Sequence, residues 1–268
     1  MAFDSILIVG CGNMAGAMLE GWLAAGVAPG RFTVADPARS ELPGGVRLLP
    51  AVPQDERFDA VLLGVKPQLL SEVAPSVEAL LGPQTVLMSI LAGVDLAVLE
   101  ERFPRAKGWL RVMPNLAAAL GKSPMALASR GLEDGARNEA AALLTLLGTP
   151  EWVDEAEFDL VTALAGSGPA FVYRFIDALA GAAADLGLAE DKARRLALAT
   201  VDGAAALAAA SPHDPGELAR RVASPGGVTQ AGLDALDDQD ALRALLERTL
   251  RAARDRSAEM AAEARRKG

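Results

Sequence analysis

Gly10, Gly12 and Ala15 stand at the spacing G-x-G-x-x-G/A, directly after the aliphatic run Ile6-Leu7-Ile8-Val9 and ahead of a helical pattern from Met14 to Leu23. That spacing suits one task, holding a dinucleotide pyrophosphate. Gly10 allows the tight turn, the missing side chain at Gly12 lets backbone approach the phosphates, and the small Ala15 lets the helix lie close on the sheet. The phosphates would rest on a helix N-terminus, where unpaired N–H groups face them. A strand before and a helix after are the context the motif requires. The contacts expected at this turn are Val9, Gly10, Gly12, Asn13, Met14 and Ala15. The plain alternative is a tight strand-to-helix turn without a ligand.

Asp36 ends a second run, Phe32-Thr33-Val34-Ala35. In a dinucleotide fold the end of the second strand meets the adenosine ribose, so Ala35 and Asp36 are expected against it. A carboxylate there accepts from both ribose hydroxyls and repels a 2′-phosphate, which favours NAD. Arg39 argues the other way as a phosphate partner, and Asp36-Pro37 also reads as a turn. Two later loops have the character of anion sites. Gly166-Ser167-Gly168-Pro169 and Ser224-Pro225-Gly226-Gly227-Val228-Thr229 each interrupt a helical pattern. Each puts free N–H groups at a helix start, suited to a carboxylate. Either could instead be a simple connection between helices.

The elements that must position these residues fall into two sets. Strands are expected at Ile6–Val9, Phe32–Ala35, Val46–Leu48, Asp59–Val65, Thr85–Ile90, Trp109–Met113, Met125–Ala128 and Glu151–Val153. Helices alternate with them, the pattern of a doubly wound parallel α/β sheet of the Rossmann type. The strand ends at Ala35, Val65, Leu91 and Met113 should open on one crevice. Past Asp154 only helical stretches follow, rich in alanine. The expected organisation is a dinucleotide-binding domain over residues 1–154 and an all-helical domain over 155–268. The segment from Pro169 to Leu186 is apolar nearly all round, which calls for cover from a second subunit.

Composition narrows the partners. The chain has 268 residues and a formal net charge of −9, which disfavours nucleic acid. The basic cluster Arg248, Arg251, Arg254, Arg256, Arg265, Arg266 and Lys267 is interleaved with acids and reads as a solvated helix face. Cys11 and His213 are the single cysteine and histidine, so neither an intrachain disulfide nor a histidine metal cluster is expected. The chain enters its first strand without a basic leader or a long apolar run, which predicts a cytoplasmic protein without a membrane span.

Several segments together resemble the pyrroline-5-carboxylate reductases over nearly the whole chain. Ile8-Val9-Gly10-Cys11-Gly12-Asn13-Met14 is similar to that family's opening motif, and Val65-Lys66-Pro67 and Ala92-Gly93-Val94 resemble its cofactor-contacting loops. Arg111-Val112-Met113-Pro114-Asn115 matches its next landmark. Val161 to Val172 is similar to its linker helix, and Val222 to Thr229 to its C-terminal signature. The chain departs from the family at Leu116 and Ala117, where threonine and proline are usual, and at Leu218-Ala219-Arg220-Arg221, where a Leu-Lys-Asp run is usual.

The resemblance implies hydride reduction of the cyclic imine 1-pyrroline-5-carboxylate to L-proline, in a homodimer or an oligomer built from dimers. It implies NADPH as cofactor, with NADH left open by Asp36. Val65, Lys66, Pro67, Ala92 and Gly93 would contact the cofactor. Asn115, Ser167, Gly168, Ser224, Gly226, Gly227, Val228 and Thr229 would surround the substrate, with no metal. A protonated imine is already electrophilic, so the site need only align the reacting carbons and exclude water. The Thr229 hydroxyl is the candidate hydrogen-bond donor to the ring nitrogen. A β-hydroxyacid dehydrogenase is the enzymatic rival. It needs a base, a lysine after the Gly-rich linker in that family, and none stands between Gly168 and Asp177. A dinucleotide-sensing regulator is the non-enzymatic rival, and would have no use for two anion-ready loops.

Overall fold

A computed structural model describes residues 3–267, apart from the side chains of residues 264, 266 and 267. Eight strands form one sheet in the order β3-β2-β1-β4-β5-β6-β7-β8. They are β1 Ile6–Val9, β2 Phe32–Ala35, β3 Arg47–Leu49, β4 Ala60–Leu63, β5 Val86–Ser89, β6 Gly108–Met113, β7 Ser123–Arg130 and β8 Gly148–Trp152. The central strands are buried at every position. Helices on both faces make continuous aliphatic runs, not alternation, the stable pattern. Helices α1 Asn13–Ala24 and α4 Asp134–Thr145 cover one face, α2 Leu70–Leu80 and α3 Leu96–Arg102 the other. Trp22 ties α1 to α4 by donating its Nε1–H to the Leu143 carbonyl at 3.0 Å, and stacks on Phe32.

The chain runs outward from β1 to β2 and β3, then returns to β4 on the other side of β1. Val9 is consequently in register with Ala35 on one side and Leu63 on the other. The crevice at such a reversal is where open α/β sheets bind ligands.

The sheet is the doubly wound, mostly parallel one expected from sequence, with one pair as the exception. β7 runs antiparallel to β6, with Met113 opposite Ala126 and Trp109 opposite Arg130. The cause is the connection. Parallel neighbours need a crossover of about a dozen residues or more, whereas residues 114–122 hold only the 3₁₀ turn Leu116–Leu120, closed by Gly121 at φ +65°.

The compact units divide the chain after Ser167 rather than at residue 154. One comprises Met1–Ser167 and Ala252–Gly268, the other Gly168–Arg251. Residues 155–167 are not a single helix. They form a 3₁₀ turn (Glu155–Glu157), the one-turn helix α5 Phe158–Val161 and a π-helical turn Thr162–Gly166. Phe158 is buried with the α2–α3 side of the sheet core, and Ala163 and Ala165 are buried too.

The second unit is all helical, with α6 Gly168–Asp185, α7 Glu190–Ala210, α8 Pro215–Val222, α9 Val228–Asp237 and the first part of α10 Ala241–Lys267. α6 and α7 meet through a seam of Ala180, Ala193 and Ala197. Small residues allow a close approach but bury little, so Val172, Tyr173, Phe175, Leu198 and Leu207 stay exposed on the single chain. Along α10 the expected solvated face is present where Arg251 pairs with Glu247 and Arg256 with Glu259 and Glu263. Arg265 departs from that face and pairs with Asp95 of the first unit, to which it also belongs. The side chains of Arg266 and Lys267 lie outside the described residues. Among the described residues no helix is long and apolar enough to cross a membrane.

Candidate functional site

The glycine turn at the end of β1 shows what each small residue is for. Gly10 has φ +82°, and a Cβ on it would lie 2.6–2.9 Å from atoms of Val65. Gly64, which lies outside the glycine motif, is held as tightly. A Cβ there would come 2.4 Å from the Gly10 carbonyl oxygen and 2.8 Å from the Ala15 Cβ. The ends of β1 and β4 and the first turn of α1 therefore touch with almost no side chain between them, and Ala15 is small for this reason. A glycine directly after the buried run of β4 is the signal that marks Gly64.

Gly12 is different. Its φ of −70° is open to any residue, and a Cβ on it would meet nothing within 4 Å. Nothing among the described residues calls for glycine at this position. The space it leaves is outside the turn, at the N-terminus of α1, where Gly12 is the N-cap and offers no side chain to the first N–H groups. No acidic residue stands in that first turn. An uncapped helix start with a side-chain-free approach fits a pyrophosphate.

Asp36 closes this turn from the end of β2. Its Oδ2 accepts the Cys11 N–H at 2.7 Å and its Oδ1 accepts the Ala38 N–H at 2.8 Å. Arg39 donates its Nε–H to the Cys11 carbonyl at 2.9 Å. Each carboxylate oxygen keeps a further lone pair for a ribose hydroxyl. Asp36 is thus a turn residue whose carboxylate keeps acceptor capacity at the end of β2. Burial pushes the Cys11 thiol up, Arg39 opposes and Asp36 adds to it, which suits a packing residue.

The two neighbouring loops follow β4 and β5. Lys66 is exposed and precedes the 3₁₀ turn Pro67–Leu69. Gly93, at φ +76°, lies under the last half of α10, where a Cβ would come within 3.2–3.3 Å of Met260 and Ala261 backbone atoms. A cavity of about 330 Å³ opens beside them, lined among others by Pro67, Ala92, Val98, Arg102 and Met260. Asp95 anchors this region. It is buried, caps α3 by accepting the Val98 N–H at 2.9 Å, and pairs with Arg265. Arg111 of β6 pairs with Glu155 at 2.6 Å and lies 3.8 Å over the Phe158 ring. No short motif announces the tie between Asp95 and Arg265.

The residues expected around a substrate fall in both units. Asn115 is buried, and both polar atoms of its side chain are engaged within the fold, to the Ala117 N–H and the Ala165 carbonyl. Ser167 closes the π-helical turn and Gly168 opens α6. In the second unit, Ser224-Pro225-Gly226-Gly227 forms a β-turn with Gly226 at φ +70° and the Gly227 N–H donating to the Ser224 carbonyl at 2.8 Å. Proline followed by a positive-φ glycine is the type II arrangement. Gly227 is the N-cap of α9 and gives no side-chain cap. Val228 and Thr229 follow, both exposed, and the Thr229 hydroxyl makes no hydrogen bond among the described residues. An uncapped helix start with an unspent hydroxyl beside it can take a carboxylate and a second polar atom.

Comparison with known proteins bears on both units. Residues 155–260 match the family described as pyrroline-5-carboxylate reductase dimerisation, and residues 5–93 match NADP oxidoreductase, coenzyme F420-dependent. The pyrroline-5-carboxylate reductase of Pseudomonas aeruginosa is 36% identical over 97% of this chain and 98% of its own. Among solved structures, a pyrroline-5-carboxylate reductase from Coxiella burnetii superposes with a TM-score of 0.89 at 28% identity, covering 97% of this chain and 99% of that one. The Plasmodium falciparum pyrroline carboxylate reductase, solved with NADP bound, shares the fold with a TM-score of 0.83 at 24% identity, over 97% and 99% of the two chains.

Proposed function

This chain belongs to the pyrroline-5-carboxylate reductase family, and from that premise we propose that it reduces 1-pyrroline-5-carboxylate to L-proline with NAD(P)H, the last step of proline biosynthesis. The observation that carries the cofactor half is Gly12, a glycine that nothing among the described residues requires, set at an uncapped helix start. Bound NAD(P)H supplies the hydride. The N–H groups of Asn13, Met14 and Ala15 face the pyrophosphate, with Val9 and Gly10 shaping the turn. Ala35 and Asp36 take the adenosine ribose. Val65, Lys66 and Pro67, with Ala92 and Gly93, border the rest of the cofactor.

The substrate half falls to Ser224, Gly226, Gly227, Val228 and Thr229, together with Ser167 and Gly168, whose loop Asn115 supports from the end of β6. Backbone N–H groups at the start of α9 hold the carboxylate, and the Thr229 hydroxyl hydrogen-bonds the ring nitrogen, donating to the neutral imine and accepting from its protonated form. An imine needs no base to remove a hydroxyl proton, in keeping with the absence of lysine between Gly168 and Asp177. The exposed apolar side chains of α6 and α7 are covered by a second copy, so the working enzyme is a cytoplasmic homodimer or an assembly of dimers. The helical half serves both substrate binding and dimerisation.

A spectrophotometric assay tests this reading. Cofactor oxidation is expected only when the cyclic imine is supplied, with NADPH and NADH each tried in turn. Comparable turnover on 3-hydroxy acids with none on the imine would overturn it. Light scattering should find a dimer or larger at micromolar concentration, and a stable folded monomer would remove the oligomer from the proposal.

A further inference from the structure

Pro169 removes the α-type donor to a buried carbonyl, that of Ala165 in the π-helical turn. In an α-helical ladder the carbonyl of residue 165 receives the N–H of residue 169, but residue 169 is proline and has none. Ala165 is buried, so water is a poor substitute, and a buried carbonyl left without a donor is costly. The donor comes from the end of β6. Asn115 gives its Nδ2–H to the Ala165 carbonyl at 2.9 Å, across a sequence separation of 50.

The amide is held in that orientation from its other side. Its Oδ1 accepts the Ala117 N–H at 2.9 Å, and its backbone N–H donates to Ser123 Oγ at 2.9 Å. A flipped amide would set an NH₂ against the Ala117 N–H, donor against donor. The carbonyl it grips lies in the π-helical turn, where the Ser167 N–H reaches back to the Thr162 carbonyl at 3.0 Å. Gly166, Ser167 and Gly168 follow at once.

We propose that Asn115 is a positioning residue that makes no contact with substrate. It sets the backbone of the Gly166-Ser167-Gly168 loop by supplying the donor that Pro169 lacks. The inference rests on the reading of that loop as part of the substrate site.

Asn115→Ser separates the two arms of the amide. A serine hydroxyl still caps the turn at Ala117, but it is too short to reach Ala165. Three results are expected of this variant. kcat/KM for the imine falls about tenfold. The Kd for NADPH moves by less than about twofold. Amide hydrogen exchange over residues 162–168 accelerates, a readout that needs no substrate.

Pro169→Ala returns an N–H to position 169. Adding it to Asn115→Ser is expected to restore exchange protection and most of the lost kcat/KM, judged against Pro169→Ala alone. Should Asn115→Ser fail to fold, the double variant is expected to fold. The proposal is overturned if neither folds, if exchange over 162–168 is unchanged, if the only change is a lower melting temperature, or if Pro169→Ala restores nothing. A wild-type protein inactive on the imine would overturn the functional reading instead, and the exchange measurement would still decide the clamp.

Discussion

The carboxylate of Asp36, at the end of β2, accepts the backbone N–H of Cys11, at the centre of the glycine turn that follows β1, at 2.7 Å. The side chain holds the turn in shape and leaves its negative charge at the end of β2, beside that turn.

Asp36→Ser removes that charge from the position a 2′-phosphate would face. The ratio of kcat/KM for NADPH to that for NADH is expected to rise by about tenfold, the equivalent of about 1.4 kcal/mol. Steady-state kinetics with both cofactors check it. An unchanged ratio would show that Asp36 does not face the ribose.

Gly10 and Gly12, two residues apart, are expected to fail in opposite ways. Gly10→Ala sets a Cβ against Val65 in a positive-φ conformation, and should cost about 2–4 kcal/mol of stability. Gly12→Ala meets nothing within 4 Å and should melt as the wild type does, while its Cβ enters the approach to the pyrophosphate and weakens cofactor binding by about tenfold or more. Melting temperature and nucleotide titration on both variants separate the two roles. A Gly12→Ala protein that binds cofactor normally would remove the pyrophosphate from this turn.

Asp95 links stability to pH. Burial alone would raise its carboxyl, but the Val98 N–H and the Arg265 guanidinium, with Arg111 near, outweigh burial and hold it below its ordinary value. A carboxyl depressed in the folded state stabilises the fold above its unfolded-state value, and that stabilisation is lost as pH falls through the folded one. Asparagine still caps α3, so Asp95→Asn removes the charge and keeps the cap. At neutral pH it should lower the melting temperature by about 2–4 °C, and the gap to wild type should start to narrow near about pH 4 and close only as pH falls through the lowered folded value. A gap that persists in acid would mean that the charge is not what stabilises.

Thr229 should matter to chemistry and not to folding. The N-cap of α9 is Gly227, and the threonine hydroxyl has no partner among the described residues. Thr229→Val keeps the shape and removes the hydroxyl. We expect an unchanged melting temperature and a kcat lower by roughly tenfold to a hundredfold, about 1.4 kcal/mol for each decade. A lower melting temperature with wild-type kcat and KM would make Thr229 a structural residue.

The sequence by itself determined what is local. The strand, glycine turn and helix from Ile6 to Ala24 are legible because each part is specified by residues within a few positions of one another, in aliphatic run, glycine spacing and helical period. Asp36 is legible because the second strand follows at a separation set by one helix and two turns. The tertiary structure decided what depends on the path of the chain. The direction of β7 follows from a connection too short to cross over. Gly64 is explained only by the Gly10 carbonyl packed on it. The grip of Asn115 on Ala165 and of Arg265 on Asp95 spans 50 and 170 residues. A side chain chosen to complete a distant partner leaves no periodic trace beside itself, so its role appears only once folding has brought the two together.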